Sequence, residues 1–463
     1  MPAPPTTSTR SSATLTIAAL ATLAVFLDTT ILFVAFPDIT SSFADSGPTT
    51  LSWVLNAYTI AFAALLVPAG KLADRIGHRR TFLLGSTLFT AASMACGIAP
   101  TIEVLIAFRV VQAVGGAILI PSSLALVMRA FPPAGIPRAV AIWGAAGAVA
   151  GALGPTLGAA VVELAGWRYA FLINVPVGIV TVAVGRRVLN ESSDASVRMP
   201  ALLGVVLIAA SATVLSYAVV NTEEVGWLDP NTALLLGIGF VLMLAFLLHQ
   251  RRTTSPALDL ELFRLGNFRW GNLAGLTFGT AFTAMFFGSI LFLTEVWGWS
   301  ILTAGFAVAP GPALVAVLAP RMGAAAGRIG QRPLLITGGV FFALGGIWRL
   351  LLLDESPNYV VDYLPSMLLT GVGVACCLPQ LSSVVAQAVP SNRIGVGGAV
   401  LQAVRQFGGT FGVALTIAFL GQPAGIAAAL AGFDRIWWLI TIGGLATSAL
   451  SVPLSTRPVE QVR

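Results

Sequence analysis

Gly70-Lys71-Leu72-Ala73-Asp74-Arg75-Ile76-Gly77-His78-Arg79-Arg80 closes one long apolar run, and Gly323-Ala324-Ala325-Ala326-Gly327-Arg328-Ile329-Gly330-Gln331-Arg332-Pro333 closes another. Six of these eleven positions are identical at a fixed offset of 253 residues. Weak internal symmetry of this kind is expected of a membrane chain built from two parallel halves. Glycines at 70 and 77 permit a tight reversal between helices. Asp74 beside Arg75, Arg79 and Arg80 can bridge helix ends through charge-assisted hydrogen bonds that break when the halves rock. Gly70, Asp74, Arg75, Gly77, Arg79 and Arg80 are therefore read as a conformational latch. Gly327 replaces the acid in the second copy, so a latch there is expected to be weaker.

The remaining chain fits this setting. It is 57% hydrophobic and 10% charged with mean hydropathy +0.90, against about 25% charged residues in soluble domains. Apolar runs of spanning length fall at 15–37, 51–70, 81–99, 102–130, 137–163, 168–188, 200–220, 232–249, 270–294, 301–320, 333–353, 361–388, 395–421 and 434–454. The expected fold is an all-α polytopic membrane protein of fourteen spans. The turn after the second span pairs with the turn after the tenth, eight spans later, where six plus six would pair it with the eighth. The expected organisation is therefore a tail 1–14, a six-helix half 15–190, two inserted spans with linkers 191–268, a second six-helix half 269–455 and a tail 456–463. The leading tail is read as short and disordered, before a retained first span.

Charge location sets the expected orientation. Twenty of the twenty-five basic residues, including Arg198, Arg393, Arg457 and Arg463, fall in segments that are cytoplasmic if the N-terminus is inside; Arg168, Arg349 and Arg435 fall outside. Acids gather at the opposite ends. A net charge of +6 thus reads as topology, and no nucleic-acid partner is expected. Seven tryptophans, Trp53, Trp167, Trp227, Trp297, Trp299, Trp437 and Trp438, read as interfacial anchors near the outer boundaries.

Against this background Asp28 is out of place. Nine residues back from Pro37, it lies about 14 Å into a hydrocarbon core about 30 Å thick. Ionisable groups at that depth mark ion or substrate pathways. Arg109, within the fourth span, cannot be neutralised and needs an acid, carbonyls or water; Asp28 is the obvious partner, and Gln112 shares its polar face. Arg405 and Gln406 lie within the thirteenth span. Glu163 and Glu295 sit at span ends as lesser coupling candidates. In the fifth span Gly144, Gly147, Gly151, Gly154 and Gly158 recur along one helical face, with Pro155 adding a bend. Cys96, Cys376 and Cys377 show neither metal spacing nor a disulfide framework. No Walker loop and no catalytic constellation are visible, so neither a cofactor, a metal nor an enzymatic activity is expected.

Taken in order, several segments resemble the major facilitator superfamily and, within it, the fourteen-span drug:proton antiporter-2 exporters. These are Leu27-Asp28-Thr29-Thr30-Ile31 with Pro37, Trp53 and Tyr58, the Gly70–Arg80 turn, Arg109-Val110-Val111-Gln112, Gly154-Pro155-Thr156-Leu157-Gly158, Gly166-Trp167-Arg168, Ile173-Asn174-Val175-Pro176-Val177-Gly178 and Arg405-Gln406-Phe407-Gly408-Gly409. Ala113 and Ala159 stand where the family pattern usually has glycine. The resemblance implies a major facilitator fold and proton handling by Asp28 and Arg109. It also implies an antiporter-type packing surface at Gly147, Gly151, Gly154, Pro155 and Gly158 that meets the other half.

The expected cavity residues are Asp28, Asn56, Tyr58, Gln112, Gln402 and Gln406. The expected function is proton-coupled export of amphipathic or cationic drugs or natural products across the plasma membrane by alternating access, with both termini cytoplasmic. Its partners are a small-molecule substrate, protons and membrane lipid, and it is expected to work as a monomer. The alternatives are a narrow exporter of one metabolite or antibiotic, a proton-linked uptake symporter, or a non-transporting sensor.

Overall fold

The computed structural model describes residues 7–132, 135–191, 199–390 and 394–455. Residues 1–6, the trailing tail 456–463, and Arg198, Arg393, Arg457 and Arg463 lie outside these, as do the side chains of Arg138, Glu223 and Glu224. Among the described residues the chain is entirely helical. Residues 7–14, expected as a disordered tail, instead begin the first helix, α1 (Thr7–Ser42). Ser11 ties this start to another helix by donating to the Ala130 carbonyl at 2.6 Å.

Every expected apolar run coincides with a helix. Among the described residues twelve helical spans are long and apolar enough to cross a membrane, or thirteen if Ile142–Gly151 and Leu153–Ala165 count as one span. The expected third span, α3 (His78–Gly97), is not among them. It opens with His78-Arg79-Arg80 and also buries Thr81, Ser86 and Ser93, and the arginines above all lower its apolarity. The protein is a multi-pass membrane protein.

The first half comprises α1, α2 (Pro48–Ile76), α3, α4 (Ile102–Ala130), α5 (Ile136–Ala165), and α6 (Arg168–Leu172) with α7 (Asn174–Val188), one span interrupted at Ile173. Then come α8 (Leu202–Val225) and α9 (Pro230–Arg252). The second half comprises α10 (Gly266–Leu291), α11 (Ile301–Val308) and α12 (Pro310–Ile329), α13 (Gln331–Leu352), α14 (Leu364–Gln387), α15 (Ile394–Leu420) and α16 (Ile426–Ser451). Gly77 and Gly330, the equivalent glycines of the repeat, both adopt positive φ, 114° and 82°. At these turns the chain needs a backbone that other residues rarely take, which explains why both copies keep the glycine.

The halves meet at the end of the bundle away from these basic turns. Phe33 and Phe36 of α1 lie against Phe287 of α10 with ring centroids 5.7 and 5.0 Å apart. Glu163 accepts from the Leu302 amide at 3.4 Å. At mid-depth the Thr59 and Thr410 hydroxyls, on α2 and α15, are 2.8 Å apart. Helix α8 packs on both α2 and α15, outside that seam, and α9 packs on α8.

Two expectations about the non-basic end need correction. Trp167, Trp297 and Trp437 are buried, not interfacial; Trp297 donates to the Asp354 carbonyl and Trp167 to Ser42. Arg349, counted as an outer charge, is wholly buried. It donates to Ser366, Ser289 and the Met367 sulfur, and faces the rings of Trp437 and Tyr363. Hydroxyl and π-face partners from several helices let a guanidinium sit inside the second half.

Candidate functional site

Asp28 and Arg109 are 2% and 1% exposed and form an ion pair of 2.6 Å between Oδ2 and Nη1. Gln112, one turn on along α4, donates to Asp28 Oδ1 at 2.8 Å, and Asn174 at the start of α7 donates to the same oxygen at 2.9 Å. Arg109 also donates to the Val54 carbonyl at 3.1 Å and to Gln112 Oε1 at 2.5 Å. Gln112 donates further to Ser93 Oγ at 2.7 Å. The Tyr58 ring lies 4.1 Å from the guanidinium carbon, and Phe171 lies 5.7 Å from it.

Five helices, α1, α2, α3, α4 and α7, thus converge on this cluster, two of them, α4 and α7, donating to the carboxylate itself. The interruption at Ile173 matters because it puts Asn174 at a helix start facing α1. Both carboxylate oxygens accept hydrogen bonds, Oδ2 from Arg109 and Oδ1 from Gln112 and Asn174.

Of the expected cavity set, the structure brings together Asp28, Tyr58 and Gln112 with Arg109. Asn56 is buried on α2 with neither amide atom hydrogen-bonded among the described residues. Gln402 and Gln406 are half-buried on α15 in the other half, apart from this cluster. Sequence reasoning left out Ser93 and, as a site residue, Asn174. A 174–178 motif opening the sixth span was the available signal for Asn174; nothing in the pattern singles out Ser93. A concavity of about 360 Å³ between α1 and α5 is lined by Leu15, Leu20, Leu23, Ile142 and other small or apolar residues, and none of the expected cavity residues.

Asp74 Oδ1 is 3.4 Å from His78 Nε2, joining the end of α2 to the start of α3. Arg80 pairs with Glu191 at 3.6 Å, and Arg79 donates to the Arg186 carbonyl. The Glu191 carboxylate also accepts from the backbone amides of Arg79 and Arg80, each at 3.1 Å, as an anion at a helix N-terminus does. A Cβ at Gly77 would collide with that carboxylate.

The glycine face of α5 has a different neighbour. Gly147, Gly154 and Gly158 approach Phe26, Thr30 and Ile31 of α1, within the same half, while a Cβ at Gly144 or Gly151 would meet nothing within 4 Å. The other half is met by Pro155 and Ala159, against Gly305 of α11. Helical spacing defines a face but does not say which helix covers it.

The family model described as "Major Facilitator Superfamily" matches residues 18–413. This chain belongs to the major facilitator superfamily. It is 36% identical over 396 residues to "Multidrug resistance protein Stp" of Mycobacterium tuberculosis (strain CDC 1551 / Oshkosh), covering 84% of this chain and 72% of that protein. It is 34% identical over 423 residues to "Cephamycin export protein CmcT" of Amycolatopsis lactamdurans, covering 90% and 86%. Among solved structures it is similar to the peptide transporter POT in complex with sulfate, with TM-score 0.67 and 16% identity over 94% of this chain and 94% of that one. That likeness bears on the fold alone.

Proposed function

We propose that this superfamily member is a proton-coupled antiporter that exports amphipathic organic compounds by alternating access. The observation that carries the reading is the buried Asp28 with its Arg109, Gln112 and Asn174 donors, a carboxylate at mid-membrane depth that ties α1 to α4 and α7. The basic end is cytoplasmic on the positive-inside argument, so contacts at the far end correspond to a conformer closed toward the exterior. All fourteen helical units span the membrane in this reading, α3 and the bent α5 included. Pro155 and Ala159 against Gly305 form the outer seal, and the turn at Asp74, His78, Arg80 and Glu191 forms the inner latch. The multidrug-resistance and cephamycin-export functions named for its relatives support an exported organic compound.

The test is transport by the purified protein in proteoliposomes. Substrate should accumulate when protons flow the opposite way, and collapse of the gradient should stop it. Accumulation with protons flowing the same way would make the protein a symporter; binding without counterflow would make it a sensor.

A further inference from the structure

Arg405 is a second guanidinium at mid-membrane depth, eleven residues or about 17 Å from the start of α15. Its stem runs beside α10: a Cβ on Gly275 would lie 3.8 Å from Arg405 Cγ, and one on Gly279 would lie 2.8 Å from the Arg405 carbonyl oxygen. Gly275 shares a stripe of α10 with Phe282 and Phe286, at i+7 and i+11. Phe286 in turn meets Phe33 of α1 at 5.9 Å, so this stripe faces the other half. On α15, Gly408 and Gly412 pack on α10 and Thr410 bonds Thr59 of α2. Gln402, Arg405 and Gln406 occupy the stripe between those contacts, and all three are half-buried.

Arg109 and Arg80 are each ion-paired, with Asp28 and Glu191; among the described residues Arg405 has neither an ion pair nor a side-chain hydrogen bond. Asp28 is the one carboxylate at comparable depth, and both its oxygens are taken within the first half. The interior between the halves therefore carries one uncompensated positive charge flanked by two amides and an aromatic surface. A permanent cation at that depth is costly without a counter-charge. We infer that Arg405 is the anion-recognition group of the cargo site, and that the cargo is an amphipathic organic acid carrying a carboxylate, sulfonate or phenolate. Gln402 and Gln406 supply further donors, and the half-buried Phe282 the apolar contact. This rests on the transporter reading above and narrows its cargo away from cations.

The experiment is equilibrium binding to the full-length protein in detergent and counterflow in proteoliposomes, with 1-anilinonaphthalene-8-sulfonate, its neutral analogue N-phenyl-1-naphthylamine, and the aromatic cation ethidium. The wild-type protein should prefer the sulfonate over the neutral probe and the neutral probe over ethidium. Arg405→Gln should weaken the sulfonate by about ten-fold or more, the loss of a charged hydrogen bond, and leave the neutral probe nearly unchanged. Arg405→Lys should retain most sulfonate affinity. A preference for ethidium, or sulfonate binding indifferent to Arg405→Gln, overturns the assignment. If Arg405→Gln does not fold, the wild-type order of the three probes and the lysine variant decide. Arg405-dependent sulfonate binding without counterflow of any probe overturns transport and keeps the site. Ethidium counterflow with Arg405-independent sulfonate binding keeps transport and overturns the site.

Discussion

Asn174, at the start of α7, donates to the Asp28 carboxylate of α1 at 2.9 Å, across 146 residues of sequence. The bond links the two helices to the ion pair that α1 makes with α4. Asn174→Ala removes a neutral donor to a buried charge, a loss of about 1.5–3 kcal/mol. Turnover under a fixed pH gradient should fall by roughly ten-fold or more, with a smaller change in apparent KM. Proteoliposome initial rates check this, and unchanged turnover would show that Asn174 is only a packing residue.

Asp28→Asn keeps size and polarity but fixes a neutral amide at the centre of the cluster. Gradient-driven accumulation and substrate-induced proton release should both disappear, while counterflow of substrate against substrate persists. Insertion must be checked independently. Normal accumulation by this variant would move coupling to Glu163 or Glu295.

Helix positions and the two glycine turns were legible because apolar run length and turn residues are local properties. Asp28 and Arg109 were legible for a related reason: a charge within an apolar run is visible without any partner. What stayed hidden depends on which surfaces meet. Ser93 looks like ordinary helix content until Gln112 donates to it. Glu191 lies far in sequence from the turn it caps. Arg349 sits near a span end, where solvent exposure is the default reading, yet hydroxyls and rings from neighbouring helices enclose it. Of the α5 glycines, Gly147, Gly154 and Gly158 lie against α1, a choice of partner that helical spacing does not encode, while a Cβ at Gly144 or Gly151 would meet nothing within 4 Å.

At the basic turn the two acids have separable roles. Asp74→Asn weakens the link between α2 and α3, so turnover should drop while equilibrium substrate binding stays within a few fold. Glu191→Gln leaves the α3 N-terminus without its anion, a loss of about 0.3–1 kcal/mol, and should lower thermal stability slightly. Parallel loss of binding and transport in folded Asp74→Asn protein would assign Asp74 to the substrate site instead.

The far-end seal is testable through Gly305. A Cβ there would lie 2.8 Å from the Pro155 carbonyl oxygen and also meet Ala159, an overpacked contact costing about 1–3 kcal/mol. Gly305→Ala should disfavour the conformer described here and slow turnover. Cysteines placed at Glu163 and Leu302, whose side chain and amide are 3.4 Å apart, report the shift. A short thiol cross-linker should join them readily in the otherwise unaltered protein and less readily with Gly305→Ala. Equal cross-linking in both would remove Gly305 from the gate.

The charge balance between the two interior sites predicts how the membrane potential drives transport. On the function and cargo site proposed above, Asp28 takes one proton per cycle and Arg405 a singly charged anion. Moving one proton inward while one monoanion leaves carries two positive charges inward. Each charge is worth about 2.3 kcal/mol per 100 mV, so the pair draws about 4.6 kcal/mol from such a potential. A monocation exchanged for one proton would draw nothing. With equal pH on both sides, a potassium diffusion potential set by valinomycin should therefore drive accumulation of an arylsulfonate by the unaltered protein. Reversing the potential should drive its loss. Transport indifferent to the potential, yet responsive to a pH gradient, would mean that the exchange is electroneutral and that the cargo carries the opposite charge to the one assigned here.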